Sequence, residues 1–286
     1  MAQRYDDLDQ QTQAALTLSR EALHTQLGDR VEVFPSNDAL IGSLADRILA
    51  DYLACRESGR DKVAMIVPVG PVGQYDILSD RCRAEGISLA QLTFFIMDEY
   101  LTDDGRWIST DDPLSFRAHM QRHLLEKLPD ELQPQIVIPD PADLGAVGRA
   151  IEHCGGLDVT YAGVGITGHL AFNEPMAEVT NAAYFADLPT RIVPLLPETR
   201  LINAVTAARG NVSRIPRMAV TVGMREILSA RRLRIYMNRH WQSAAIRRLA
   251  FGPVTAAFPA SMAQTHPQWS LHIVDHVLDQ PEPTLA

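Results

Sequence analysis

Val63-Ala64-Met65-Ile66-Val67, followed by Pro68-Val69-Gly70-Pro71-Val72-Gly73 and then Gln74-Tyr75-Asp76-Ile77-Leu78, decides the fold. An unbroken apolar run rich in β-branched residues reads as a strand buried on both faces, as in a parallel sheet. The Pro- and Gly-rich segment ends it, and helical spacing begins at Gln74. Comparable apolar runs recur at 93–97, 158–162, 218–222, 233–237 and 271–274, with helical spacing at 38–56, 113–127, 142–153 and 240–250. Strand and helix alternate, which predicts an α/β fold: a three-layer α/β/α sandwich with a mostly parallel, Rossmann-like sheet. Right-handed crossovers bring the C-terminal ends of such strands to one edge, where ligands bind.

With 286 residues, 46% of them hydrophobic, the chain can bury a substantial core. Upstream of the first strand run, Leu8, Leu16, Leu23 and Leu27 are spaced among polar residues as in an amphipathic helix. Residues 1–35 therefore read as an N-terminal helical extension, 36–278 as the α/β domain and 279–286 as a loose Pro-rich tail. The extension is the reason to expect a homo-oligomer. A net charge of −9 and a pI near 5.4 exclude general attraction to nucleic acid or to an anionic membrane. An anionic substrate would need a local basic site. No apolar run is long enough to span a membrane, and Met1-Ala2-Gln3-Arg4-Tyr5-Asp6-Asp7 lacks the pattern of a secretory signal, so the expected location is the cytoplasm. Cys55, Cys82 and Cys154 are odd in number and form no C-x-x-C pair, so buried thiols are expected, not a disulfide framework or a zinc site.

Residues able to do chemistry gather where the expected strands finish. The 68–73 turn could offer backbone N–H groups to an anion, yet Pro71 has none, and a plain strand-to-helix turn is the simpler reading. Asp98-Glu99-Tyr100, after the 93–97 run, places carboxylates where one could remove a proton from carbon next to a carbonyl. After 158–162 comes Gly163-Val164-Gly165-Ile166-Thr167-Gly168-His169-Leu170-Ala171-Phe172-Asn173-Glu174-Pro175. A histidine in a glycine-rich turn can approach a substrate closely, and the carboxylate five residues later can fold back to orient its ring. The turn also spells G-x-G-x-x-G, with Asp187 about twenty residues beyond, as a dinucleotide fingerprint would ask. That reading fails because Asn173-Glu174-Pro175 breaks the chain where the fingerprint needs a helix, and Asp187 ends no apolar run.

Phe95-Ile96-Met97-Asp98-Glu99-Tyr100, the glycine and histidine turn through Pro175, and Thr190-Arg191-Ile192 together resemble the glucosamine-6-phosphate deaminase family. Further matches are Asp112-Pro113-Leu114-Ser115-Phe116, Glu198-Thr199-Arg200 and the stretch from Ile215 to Gly223, so the resemblance covers 36–278. It implies a sugar isomerase or deaminase needing neither cofactor nor metal, with a small-molecule sugar or sugar phosphate as its partner. By that resemblance His169, assisted by Glu174, opens the sugar ring, and Asp98 moves a proton between C2 and C1 through an enediol or enolamine. Gly70, Thr167, Gly168, Arg191 and Gln242 fall at the substrate-binding positions.

Several positions depart from the family pattern. The family's Pro-Thr-Gly-Ser/Gly-Thr-Pro phosphate turn is here Pro68-Val69-Gly70-Pro71-Val72, shorter by about two residues and without hydroxyls. Gln242 stands where a phosphate-binding lysine is usual, while Arg191 matches the family's phosphate arginine. Thr167 replaces the aspartate of the family's Asp-Gly-His, which predicts slower or altered ring opening. The connector 176–189 is longer than usual and would either contact substrate or form a passive surface loop. These departures leave three alternatives: an isomerase for a non-phosphorylated or sulfonated sugar, a hydrolase like the related 6-phosphogluconolactonases, and a non-catalytic sugar-binding regulator. The Met-Asp-Glu-Tyr and Phe-Asn-Glu-Pro motifs argue against the hydrolase.

Overall fold

In the computed structural model, which describes residues 8–282, the apolar runs form the strands of a covered sheet. The strands are β1 (Val31–Phe34), β2 (Val63–Val67), β3 (Leu92–Ile96), β4 (Asp98–Leu101), β5 (Gln135–Val137), β6 (Val159–Gly163), β7 (Arg191–Pro194), β8 (Met218–Thr221), β9 (Arg232–Met237) and β10 (Trp269–Val274). The helices are α1 (Gln10–Leu16), α2 (Arg20–Leu27), α3 (Asn37–Glu57), α4 (Gln74–Glu85), α5 (Phe116–His123), α6 (Ala146–His153), α7 (Ala182–Ala186), α8 (Pro197–Ala207), α9 (Met224–Leu228) and α10 (Gln242–Phe251). Seven strands pair in parallel in the order β1-β10-β9-β6-β2-β3-β5, and β4-β8-β7 form a separate antiparallel sheet.

Alternation along each central strand feeds two cores. In β2, Val63, Met65 and Val67 face a cluster with Leu40, Leu44 and Ile48 of α3 and Leu78 of α4, whereas Ala64 and Ile66 face Val147, Ile151, Ile246 and Leu249 of α6 and α10. Phe94 and Phe95 of β3 divide in the same way. A sheet buried on both faces needs apolar residues at every position, which is why its strands appear as unbroken runs.

Three boundaries differ from the sequence reading. The 218–222 run was expected in the parallel sheet, but Met218–Thr221 is the central strand of the antiparallel sheet, since hydrophobicity does not encode strand direction. Val31–Phe34, placed in the N-terminal extension, is the edge strand of the main sheet and pairs with β10. The single amphipathic helix expected before it is two helices, because the Ser19 hydroxyl accepts from the Ala22 N–H and starts α2 afresh; its first residues lie outside the described region. Leu23 and Leu27 join this chain's own core, while Leu8 and Leu16 stay partly exposed.

Beneath α3 lies a buried charge cluster. Asp51 accepts from the Tyr161 hydroxyl at 2.6 Å, from Arg234 at 2.7 and 2.9 Å and from Arg232 at 2.9 Å, clamping the helix to β6 and β9. Removing one member of a buried pair strands its partners in low dielectric. Asp51→Ala is expected to lower unfolding stability by about 3 kcal/mol, the low end for such losses because Arg232 keeps part of its solvent. Urea denaturation measures this, and a change below about 1 kcal/mol would show that the cluster does not clamp α3.

Candidate active site

The turn leaving β6 is fixed by its own backbone before any side chain is considered. The Gly165 N–H donates to the His169 carbonyl and the Gly168 N–H to the Gly165 carbonyl, each at 2.9 Å. Glycine is required at both positions. A Cβ on Gly165 would sit 1.9 Å from His169 Nε2, and Gly168 has φ +84° with the Phe258 ring 2.3 Å from where its Cβ would lie. The imidazole therefore lies flat against bare backbone, and Ala260 N–H holds the Gly168 carbonyl from behind at 2.7 Å.

Thr167, His169 and Glu174 form a closed triangle. The Thr167 hydroxyl lies 2.8 Å from His169 Nδ1 and 2.9 Å from Glu174 Oε2, and Nδ1 is 3.1 Å from the same Oε2. A carboxylate only accepts, so the hydroxyl proton goes to Glu174 and Nδ1 donates to both oxygens. That assignment leaves Nε2 of a neutral ring as a proton acceptor. Burial tends to push the Glu174 carboxyl up, but the hydrogen bond and charge of His169 and the bond from Thr167 outweigh it and hold it below its usual range. Its second oxygen accepts from the Leu196 N–H at 3.1 Å. Thr167 thus occupies the place that the sequence reading left without a carboxylate.

The antiparallel sheet delivers the second component. Asp98, Thr221 and Arg191 stand opposite one another on one rung of β4-β8-β7, and residues directly opposed in an antiparallel pair share a face. The Thr221 hydroxyl accepts from the Phe172 N–H at 3.0 Å, so that face is turned toward the histidine turn. Tyr100, two residues after Asp98 and on the same face, has its ring 5.5 Å from that of Phe172, which is 5.9 Å from the imidazole. Burial, aided by the charge of Glu99, pushes the Asp98 carboxyl well above its ordinary range. Glu99 points the other way and is occupied: its oxygens accept from the Phe116 and Arg117 N–H groups at 3.1 and 3.0 Å and from the Ser115 hydroxyl at 2.8 Å, fixing the start of α5. Of the two adjacent carboxylates, Asp98 is left for chemistry.

The remaining sequence candidates are placed unevenly. Gly70 lies in the 68–73 turn after β2, on the same sheet edge, where the Tyr75 hydroxyl donates to the Pro68 carbonyl at 2.6 Å and Gln74 to the Val69 carbonyl at 2.9 Å. Gln242 is buried and engaged with backbone, its oxygen accepting from the Asn238 and Arg239 N–H groups and its nitrogen donating to the Val164 carbonyl, each at 2.8 Å. Arg191 donates to Asn173 Oδ1 at 2.7 Å and lies over the Phe185 ring. Phe185 belongs to α7, in the 176–189 connector, and is fully buried, so this part of the connector is packed against the body. No group of three or more His, Cys, Asp or Glu among the described residues is arranged to hold a metal ion.

No family model matches the chain. A glucosamine-6-phosphate deaminase of Porphyromonas gingivalis is 30% identical over 248 residues, covering 84% of this chain and 89% of that protein. The chain belongs to the glucosamine-6-phosphate deaminase family. A second family member, from Rhodopirellula baltica, is 29% identical over 87% of this chain and 93% of its own length. Among solved structures, a monomeric glucosamine-6-phosphate deaminase superposes with a TM-score of 0.71 at 25% identity, covering 87% of this chain and 98% of that one. A 6-phosphogluconolactonase from Shewanella baltica superposes with a TM-score of 0.58 at 18% identity over 85% of this chain and 97% of its own, a likeness of fold alone. No helix among the described residues is long and apolar enough to cross a membrane.

Two residues that sequence reasoning did not single out hold this family site together. Asn173 is fully buried and donates to the Leu170 and Val222 carbonyls at 2.9 Å each, and Thr221 receives Phe172. An uncharged Asn inside Phe-Asn-Glu-Pro was the one available signal, whereas nothing marked Thr221 within an apolar strand. Gly165→Ala is expected to displace the imidazole and cut turnover by about 100-fold or more while leaving the far-ultraviolet circular dichroism unchanged. Wild-type turnover in that variant would mean that the ring need not lie against Gly165.

Proposed function

We propose that the chain is an aldose–ketose isomerase and deaminase acting on an amino-sugar phosphate or a closely related anionic sugar. The observation that carries this reading is the pairing, on facing surfaces, of a carboxyl raised above its usual range at Asp98 with a histidine oriented by an ionised Glu174. A carboxyl slow to ionise at Asp98 and an imidazole oriented by an ionised Glu174 suit a reaction of two proton transfers.

In the proposed sequence His169 Nε2 takes the anomeric hydroxyl proton and returns it to the ring oxygen, so the hemiacetal C–O bond breaks and the aldehyde forms. Glu174 and Thr167 steady the ring through Nδ1 while it is transiently cationic. Asp98 then removes the C2 proton, giving an enolamine, and delivers a proton to C1. The resulting C2 imine adds water and expels ammonia, leaving a ketose. Gly168 gives the imidazole close access to substrate, Gly70 lines the same sheet edge, and Gln242 acts through Val164 as a positioning residue. Arg191, held to Asn173 by Nη1, keeps Nε and Nη2 without a hydrogen-bond partner among the described residues and so has donors left for an anionic group of the substrate. No oxidant or reductant enters this balance.

Incubation with glucosamine 6-phosphate, following ammonia and ketose together, tests the reading; tight binding without turnover favours the sugar-binding regulator, and lactone hydrolysis favours the hydrolase. Asp98→Asn is expected to lower kcat by about 10²–10⁴-fold. Because the base must be ionised and its pKa is raised, wild-type kcat/KM should fall with decreasing pH at a value above ~3.9, the ordinary aspartate pKa. That acid limb should be missing from the residual activity of Asp98→Asn, and an identical limb in both proteins would remove Asp98 from the role of base.

A further inference from the structure

The segment after α10, Gly252-Pro253-Val254-Thr255-Ala256-Ala257-Phe258-Pro259-Ala260-Ser261, carries no ionisable side chain, so no acid–base role falls to it. It is nevertheless locked by its own hydrogen bonds. The Thr255 N–H donates to the Ser261 hydroxyl and the Ser261 N–H to the Phe258 carbonyl, each at 2.9 Å, and the Phe258 N–H donates to the Thr255 carbonyl at 3.2 Å. The Phe258 side chain held by this loop is buried.

Its ring lies on the catalytic turn, where a side chain on Gly168 would begin, and the Ala260 N–H, two residues on, holds the Gly168 carbonyl at 2.7 Å. Gly168 immediately precedes His169 and has φ +84°. Glycine populates many backbone conformations and does not select that one by itself. The selection falls to its neighbours, the ring against its α-carbon and the hydrogen bonds at its N–H and carbonyl.

Packing does not enclose the ring on every side. It borders a cavity of about 690 Å³ that is also lined by Pro253, Thr255, Arg248 and the start of α1. Arg248, in the last turn of α10, lies over the ring with its guanidinium carbon 4.2 Å from the centroid. Its side chain makes no hydrogen bond or ion pair with another described residue. The nearby carboxylate, Asp9, is engaged at both oxygens by the Thr12 N–H and hydroxyl, at 2.8 and 2.7 Å. The stack on Phe258 is thus what holds this cation among the described residues, and a desolvated cation over an aromatic face is a favourable contact. From its other end α10 grips the same turn through Gln242, which donates to the Val164 carbonyl at 2.8 Å.

We propose that Phe258 and Arg248 are positioning residues for the isomerase reaction: the ring sets Gly168, and through it the approach of His169 to the sugar, while the guanidinium seats the ring. This deepens the isomerase reading and rests on it. A displacement of about 1 Å in a reacting group can cost about 10²-fold in rate, so loosening this support acts on turnover more than on binding.

Phe258→Leu, Arg248→Ala and the double variant test the pair in the full-length chain. With glucosamine 6-phosphate, Phe258→Leu should lower kcat by about 10- to 100-fold and Arg248→Ala by about 3- to 10-fold, with KM changed by less than about 3-fold in each. Because Arg248 acts through the ring, adding Arg248→Ala to Phe258→Leu should lower kcat by less than about 2-fold more. Hydrogen exchange at the Gly168 amide needs no turnover, so it separates this proposal from the isomerase reading. Phe258→Leu should speed that exchange by about 10-fold or more relative to the Phe94 amide in the opposite core. Faster exchange in a protein that turns over no sugar would sustain the support of the turn and refute the activity. Unchanged kcat, or relative exchange at Gly168 equal in wild type and Phe258→Leu, overturns the role of Phe258, and independent losses in the double variant overturn that of Arg248.

Discussion

The hydrogen bond from the Phe172 N–H to the Thr221 hydroxyl is the contact on which the rest of the site depends. It joins the turn from the parallel sheet to the central strand of the antiparallel one, and Thr221 shares its rung with Asp98. Both groups are buried, so breaking the contact would leave a donor unsatisfied at a cost of about 1–3 kcal/mol. Asn173 reinforces the joint through the Leu170 and Val222 carbonyls and through Arg191. The strand that carries Asp98 and the turn that carries His169 are thereby tied together.

Electrostatics follow from that placement. Asp98 is kept from ionising readily by burial and by Glu99, while Glu174, also buried, is kept ionised by His169 and Thr167. The two carboxyls differ because one has hydrogen-bond donors and the other has a like charge beside it. Glu99 shows the structural use of the same chemistry, satisfied at the start of α5 by backbone donors. Family membership and the arrangement of these groups point to the same class of reaction. The departures at 68–73 and Gln242 from the family pattern leave Asp98, His169 and Glu174 unchanged in the sequence.

Much of this was legible in the sequence because the relevant signals are local. Unbroken apolar runs announced strands covered on both faces, and a histidine, its threonine neighbour and its glutamate lie within eight residues of one turn. Long-range relations were not legible. Met218–Thr221 has the apolar character of a parallel strand, and its direction is set by partners far away in the chain. Val31–Phe34 is short, interrupted by Glu32 and nowhere fully buried because it is an edge strand, so it did not stand out from the helical extension. Asp98 and Glu99 are indistinguishable as letters, and only strand alternation with the docking of α5 separates them. Gln242 aligned with a ligand position but serves its own backbone, which no linear motif could reveal.

The account stands on one claim, that the Asp98 carboxyl carries a proton between C2 and C1 of a sugar opened by His169. Substrate deuterated at C2, followed by proton and deuterium nuclear magnetic resonance in ordinary water, tests it most directly. The account predicts that wild type moves the label to C1 of the ketose or loses it to solvent as conversion proceeds, and that Asp98→Asn does neither above background. Ketose formation, with transfer or loss of the C2 deuterium, at the wild-type rate in Asp98→Asn would contradict it.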